Sequence, residues 1–545
     1  MQWKRRSDPG QRHRRLAGGG LIAVSAVGAV VLAGLVGLAL TVLRSPAAGP
    51  VSPAAGPASP AAGPASPAAG PASWGAGPAS PPARICGNKA ILEGGPSVPP
   101  TGAVIIPAGD DSGTVLGRSW TVRPDTTYWF APGRHTFGTG QYSQIIPANG
   151  DTFIGAPGAI LDGQHKNLYA FTQQARNVTI RYLTIQNFGA PGVNNGQGVV
   201  NHDEGPNWHI DHVTVQESAG AGVMLGSGNV LAHSCLRNNG QYGFQGFGSH
   251  LKVYNNEIVG NNTDNWEARQ ASCGCSGGAK FWTVNGATIT SNYVHDNIGP
   301  GLWADTNNRG FNVEHNYFAG NQGQGFIYEI SYNLRLADNT FIRNALVGGP
   351  KLPGFPDSAV YISESGADSR VPGLYGATLA ITGNMFINNW GGVVLYENAD
   401  RYCGSAGNSS TGYCTLVDPS VATLGKCTKP SLIGTNPYYN DCRWKTQNVL
   451  VKGNYFAFDP TKIGPECTSD KYCGFNGVFS AWGSLRPYQG TAVENHITFD
   501  QNNHFMSNSY YGPWQFVVEE QGNAVNWSTW RKSPYYQDAH STMDG

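Results

Sequence analysis

Val253-Tyr254-Asn255-Asn256-Glu257-Ile258 sets an apolar residue, two variable positions, an Asn, one further position and a second apolar residue. The phrase returns at 289–294 around Asn292, at 313–318 around Asn316 and at 336–341 around Asn339. It returns again at 381–386 around Asn384 and at 451–456 around Asn454. Copies without the Asn lie at 180–185, 210–215 and 231–236, and residues 499–505 read as a last copy with one extra residue. The tightest spacings between successive copies are 21, 22, 24 and 23 residues, and the longer ones read as one coil plus an insertion. Self-similarity at this period implies a solenoid, in which each repeat buries its apolar face only by stacking on its neighbours.

A second phrase follows most copies and usually begins with Gly. Examples are Gly222-Val223-Met224-Leu225, Gly278-Ala279-Lys280-Phe281-Trp282, Gly301-Leu302-Trp303-Ala304-Asp305 and Gly325-Phe326-Ile327-Tyr328-Glu329. Two or three short strands per turn, separated by Asn- and Gly-rich corners, describe a parallel β-helix. Asn tolerates the left-handed conformation of a corner, and its amide can hydrogen-bond the Asn one coil away. A leucine-rich repeat would need Leu at several fixed positions and a helical segment, and neither is visible.

The chain has 545 residues, 35 basic and 35 acidic, so its net charge is zero and no electrostatic footprint for nucleic acid exists. Its 14 Trp and 24 Tyr would suit a polysaccharide-binding surface. Residues 1–16 are basic, and 17–43 form an uncharged run long enough for the ~20 apolar residues of a membrane span. The basic flank keeps the N-terminus cytoplasmic, which makes this a signal anchor, with cleavage near Ala47-Ala48 as the alternative. Residues 44–83 are a Ser-Pro-Ala-Gly linker repeating every seven residues, with Pro too frequent for a helix. As polyproline II it would reach roughly 100 Å. The expected location is extracellular, tethered to the cell membrane, or secreted after cleavage. Ten Cys suit an oxidising compartment. Cys403 with Cys414, Cys427 with Cys442 and Cys467 with Cys473 are the natural local pairs, whereas Cys86, Cys235, Cys273 and Cys275 stay open.

Residues 84–165 read as an N-terminal cap and first coils, 166–508 as the β-helix with loop insertions, and 509–545 as a C-terminal cap holding Trp514, Trp527 and Trp530. A sugar-binding lip is the other reading of those tryptophans. The opening coils carry Pro132-Gly133-Arg134-His135 and Ile154-Gly155-Ala156-Pro157-Gly158-Ala159-Ile160-Leu161-Asp162-Gly163. With the Asn coils that follow, the chain resembles the secreted bacterial right-handed parallel β-helix proteins of the pectate-lyase-like superfamily. The resemblance implies an all-β solenoid. It does not imply one reaction, because that superfamily includes lyases, hydrolases, epimerases and non-catalytic adhesins. The Asp-Asp and Gly-His-Gly motifs of polygalacturonase-type hydrolases and the Arg motif of pectate lyases are not matched.

Alternation along a strand places Leu302, Ala304, Phe326 and Tyr328 inside and Trp303, Asp305, Ile327 and Glu329 outside. The outward column then reads Trp282, Asp305, Glu329, Glu364 and Glu397, with His202 near its start and with Lys280 and Trp303 two residues away. Coils stand ~4.8 Å apart. Adjacent acids would sit near the ~5 Å of a retaining glycosidase pair, and acids two coils apart in the ~6.5–9.5 Å inverting range. Asp305, Glu329, Glu364 and Lys280 are the catalytic candidates, and Trp282, Trp303, Glu397 and His202 the substrate-binding ones. No metal ligand set is assigned, although the same column could hold calcium, which would neutralise a uronate while Lys280 removed its C5 proton. The favoured reading is a monomeric polysaccharide hydrolase. A lyase or epimerase using Lys280, and a glycan-binding adhesin, are the alternatives. The large one-sided insertions favour an enzyme.

Overall fold

The computed structural model describes residues 80–109, 123–190, 198–270, 274–275, 277–352, 354–371, 377–405, 414–484 and 486–544. The basic segment 1–16, the proposed span 17–43 and all but the end of the linker lie outside these. Among the described residues no helix is long and apolar enough to cross a membrane.

The chain winds through three long sheets. Two have 13 strands and one has ten, and every strand pairing is parallel except the final hairpin of the ten-stranded sheet. The first sheet runs from Val104–Ile106 to His504–Met506, the second from Gly133–Thr136 to Thr542–Asp544, and the third from Ala221–Leu225 to Ala524–Val525. Each full coil contributes one strand to each sheet, which is the expected parallel β-helix. Strands are only three to six residues long in its regular part. No single coil can therefore bury a core, and stability is a property of the stack.

The second apolar residue of the Asn phrase explains the interior. Phe318, Phe341, Phe386, Phe456 and Tyr510 stack face to face, with ring centroids 4.7–5.0 Å apart and planes within 9°. That separation equals the coil rise, so the rings follow the backbone at no cost in geometry.

The Asn of the phrase forms a ladder. Asn256, Asn292, Asn316, Asn339, Asn384, Asn454 and Asn508 are buried, and each Nδ2 from Asn256 to Asn454 donates to the next Oδ1 at 2.9–3.2 Å. Each of these side chains also donates to a strand carbonyl, as Asn316 does to Ile289 at 2.9 Å. The left-handed turn is made by the residue before the ladder Asn: Asn255, Ser291, His315 and Asp338 all have φ between 52° and 57°. The two jobs expected of one Asn are divided between neighbours. The last copy is also corrected. It is Phe505-Met506-Ser507-Asn508-Ser509-Tyr510, whereas 499–505 straddles a short helical turn, His496–Asp500, and the strand His504–Met506.

Five residues further on stands a second ladder that the sequence reading missed. Asn239, Asn261, Asn297, Asn321, Asn344 and Asn389 are linked amide to amide at 2.9–3.0 Å. Gly222, Gly243, Gly278 and Gly301, at the start of four third-sheet strands, pack against it. A Cβ on Gly301 would stand 2.5 Å from the Gly325 carbonyl oxygen and 3.0 Å from Asn321 Nδ2, so only glycine fits.

The three local disulfides pair as expected, and Cys86 pairs with Cys235, with Cα atoms 4.9 Å apart. That bridge ties the start of the described chain to the outer side of the second sheet. Buried Glu257 accepts from the backbone N–H groups of Ile85 and Cys86 at 2.6 and 2.8 Å, and pairs with Arg84 at 2.9 Å. His295 is a buried strand residue 3.1 Å from Glu257. Asp296 beside it turns a corner with a left-handed φ of 53°. At the other end Asp538 closes the ladder, accepting from Asn508, Tyr510, Trp530 and Ser541 at 2.6–2.9 Å. Trp514 and Trp530 are buried, so they seal the core rather than form a lip.

Candidate functional site

The third sheet presents its outer face to two insertions, and its register decides which residues meet. Leu302, Phe326, Val360 and Val393 align, and so do Trp303, Ile327, Tyr361 and Val394. Leu302, Ala304, Phe326 and Tyr328 are fully buried in the core, as expected. The outward column therefore begins as read, with Trp282 beside Asp305 and Asp305 beside Glu329. It then departs from the reading, because Glu329 aligns with Ser363 and Ser363 with Tyr396. Glu364 and Glu397 come one residue later: Glu364 follows its strand with a left-handed φ of 46°, and Glu397 ends its strand, aligned with Ser480.

Lys280 stands next to this column. Its Nζ lies 2.8 Å from Asp305 Oδ2, donates to the Gly274 carbonyl, and sits over the Trp303 ring at 4.1 Å and the Trp282 ring at 5.4 Å. A carboxylate, a carbonyl and two π faces thus surround its amino group. Asp305 also accepts from the Thr306 hydroxyl at 2.7 Å. Burial alone would raise the Asp305 carboxyl, but Lys280 foremost, then Thr306, hold it below its ordinary value.

Glu329 is buried at 7% exposure and accepts from Trp303 Nε1 at 3.1 Å. Arg401, from the insertion after the Val393–Glu397 strand, reaches Glu329 Oε1 at 2.8 Å and Glu364 Oε2 at 2.9 Å through one nitrogen, Nη1. Glu364 is further held by the Ser363 hydroxyl and the Asn398 N–H, both at 2.6 Å. Burial raises the Glu364 carboxyl; Arg401 opposes this and Glu329 adds to it. Two carboxylates thus share one guanidinium. Arg401 itself is held as a cation, its burial outweighed by Glu364 and Glu329.

The structure thus brings together Lys280, Trp282, Trp303, Asp305 and Glu329, with Glu364 behind Arg401. Two candidates fall outside. Glu397 pairs with buried Arg443 and accepts from the Thr446 N–H at 3.1 Å and Gln501 Nε2 at 2.8 Å, so it serves the interior of an insertion. His202 stacks on Tyr169, centroids 3.6 Å apart, three coil steps before the Lys280 strand. Beyond Glu329 the outer face is roofed: Ile327, Tyr361, Val394, Tyr396 and Phe479 pack with Phe355 into a separate apolar cluster. The residue that sequence reading missed is Arg401. It lies in a non-periodic insertion, and nothing in its neighbours marks it. A calcium ion wants about six to eight oxygen ligands. Here Asp305, Glu329 and Glu364 already have cationic side chains as partners, so the column does not offer that set.

Residues 197–373 match the family model described as "Right handed beta helix region". No curated protein matches the chain. Among solved structures it is similar to the A-module of a mannuronan C-5 epimerase from Azotobacter vinelandii, at 13% identity over 82% of this chain and 98% of that one, with a TM-score of 0.43. It is also similar to the catalytic unit of an alpha-1,3-glucanase from Streptomyces thermodiastaticus, at 11% identity over 82% and 70%, TM-score 0.45. A third is the tailspike protein of an Escherichia coli bacteriophage in complex with a pentasaccharide, at 11% identity over 77% and 60%, TM-score 0.38. With its Asn repeats, its parallel sheets and this family match, the chain is a right-handed parallel β-helix protein.

Proposed function

We propose that the third-sheet face is the catalytic cleft of a polysaccharide-acting enzyme, and that the reaction is glycoside hydrolysis. The observation that carries this is the pairing of Asp305 with Glu329 on adjacent strands of one outward column, flanked by Trp282 and Trp303. Acids one strand apart stand at ~4.8 Å, near the ~5 Å of a retaining pair. Asp305, held ionised by Lys280, is the nucleophile or base. Glu329, the second carboxyl of the pair, is assigned the acid role at the leaving oxygen, with Arg401 and Glu364 holding it in place. The tryptophans give sugar rings a face to stack on. Lys280, paired with Asp305 at 2.8 Å, is assigned as a clamp for Asp305 and the substrate.

We also place the protein outside the cell, held to the membrane by residues 17–43 or released by cleavage after them. Its disulfides are the support, since such bonds persist in oxidising compartments.

The test is product formation on a panel of plant, algal and bacterial polysaccharides. Asp305→Asn and Glu329→Gln, each separately, should lower turnover of the responsive glycan by about 10²–10⁴-fold, measured at a temperature where circular dichroism shows the variant folded despite its lost ion pair. Full turnover in both variants would remove the site. Glycan binding with no product in the parent would make the protein a binding module.

A further inference from the structure

The corner that follows the first sheet carries a second cluster, remote from the carboxylate column. Tyr182, His212, His233 and Asn255 occupy this corner on successive coils, all with φ between 46° and 56°. Asp211, 5% exposed, ends the strand His209–Asp211 just before His212. Its Oδ1 lies 2.8 Å from His212 Nδ1 and 2.9 Å from His233 Nδ1. The two imidazoles are stacked with centroids 4.7 Å apart, and the three ligand atoms all lie within 4.8 Å of one another. His212 Nδ1 is buried, and its approach to the carboxylate lacks hydrogen-bond geometry.

We propose that Asp211 Oδ1, His212 Nδ1 and His233 Nδ1 form a binding site for one divalent transition-metal ion of the zinc class, with water as fourth ligand. Two imidazole nitrogens and one carboxylate oxygen suit zinc, copper or nickel and do not suit calcium or magnesium. Bond lengths of about 2.0–2.2 Å to a tetrahedral ion require the donors to spread by about 0.5 Å from their present separations. The half-buried imidazoles, with side chains 22% and 35% exposed, can make that movement. The surroundings are those of a supported site. Arg181 Nη2 holds the other oxygen, Oδ2, at 3.1 Å, which fixes the carboxylate with Oδ1 towards the rings. Asn255 lies 3.2 Å from His233 Nε2, and with its amide oxygen turned to the ring it accepts the N–H that a ring bound through Nδ1 keeps at Nε2. Binding through Nδ1 requires each ring to carry its N–H at Nε2.

Isothermal titration of zinc chloride into the full-length chain, stripped with chelator, tests this. The parent should bind one zinc. His212→Asn and His233→Asn should each bind at least about tenfold more weakly. Asn already occupies the same corner one coil on, at Asn255, so the left-handed turn is kept in both variants. Unchanged thermal unfolding of the metal-free variants would show that they fold. Cobalt loaded in place of zinc should give the visible absorption of a tetrahedral ion, lost in both variants. Absence of saturable binding in the parent, or equal affinity in parent and both variants, would overturn the site.

Discussion

The Asn ladder beside the second sheet and the carboxylate column on the outer face of the third both repeat once per coil, but only the first is complete in itself. An amide carries a donor and an acceptor, so each Asn satisfies the next, and the stack can be buried end to end. A carboxylate carries acceptors alone, and a neighbour of the same charge one coil away repels it. The column therefore exists only where cations enter it: Lys280 from an adjacent position, Arg401 from an insertion. Where an acid is buried with amide partners and no cation, its charge is lost instead. Asp357, whose hydrogen-bond partners among the described residues are Gln324 and the Ser358 N–H, is pushed by burial up to about 7. A neutral ladder builds a scaffold; a charged one needs loops, and the loops bring the chemistry.

This contrast can be broken most sharply at Arg443. It is buried against Glu397, and burial lowers it to about 10. Arg443→Met should cost about 3–5 kcal/mol in urea unfolding, because it strands a buried carboxylate. Adding Glu397→Gln should recover much of that loss, and a purely additive double variant would show that the two charges are independent. In the neutral ladder, Asn316→Ala removes Oδ1 from both the N–H and the amide of Asn292 and removes the donor to Ile289. The expected loss is about 2 kcal/mol by the same measurement, and a change under 0.5 kcal/mol would mean that water or a neighbour replaces the rung. The contrast can also be sharpened through a pH slope. The folded-state value of Asp357, about 7, lies above its ordinary 3.8, so the folded chain binds more protons. That contribution is whole below about pH 4 and is lost as pH rises through about 7, at no more than about 1.4 kcal/mol per pH unit. Asp357→Asn should flatten the slope there. Asp305 is lowered and acts with the opposite sign, its contribution lost as pH falls through its folded value.

Much of the fold was legible because a solenoid repeats its physics. The Asn phrase named the ladder, the core ring stack and the inward face of the third sheet. Counting from the first apolar residue of each Gly-opened strand would also have placed Ser363 and Tyr396, not Glu364 and Glu397, in the column. The second ladder was equally present, as an Asn five residues after each of Asn256, Asn292, Asn316, Asn339 and Asn384. Arg401 and Arg443 were not legible. They reach the sheet from insertions with no period, and position in a non-repeating loop follows from where the loop folds back.

By itself, the sequence determined the period, the corners, the inside and outside of each strand, and the three disulfides that close short loops. These depend on contacts along one coil or to the next, and pattern alone specifies them. Only the tertiary structure decided that Cys86 bridges to Cys235, that Glu257 anchors residues 84–86, and that Arg401 joins Glu329 to Glu364. Those contacts link residues far apart in the chain through three-dimensional proximity, and burial then fixes the charge each acid carries.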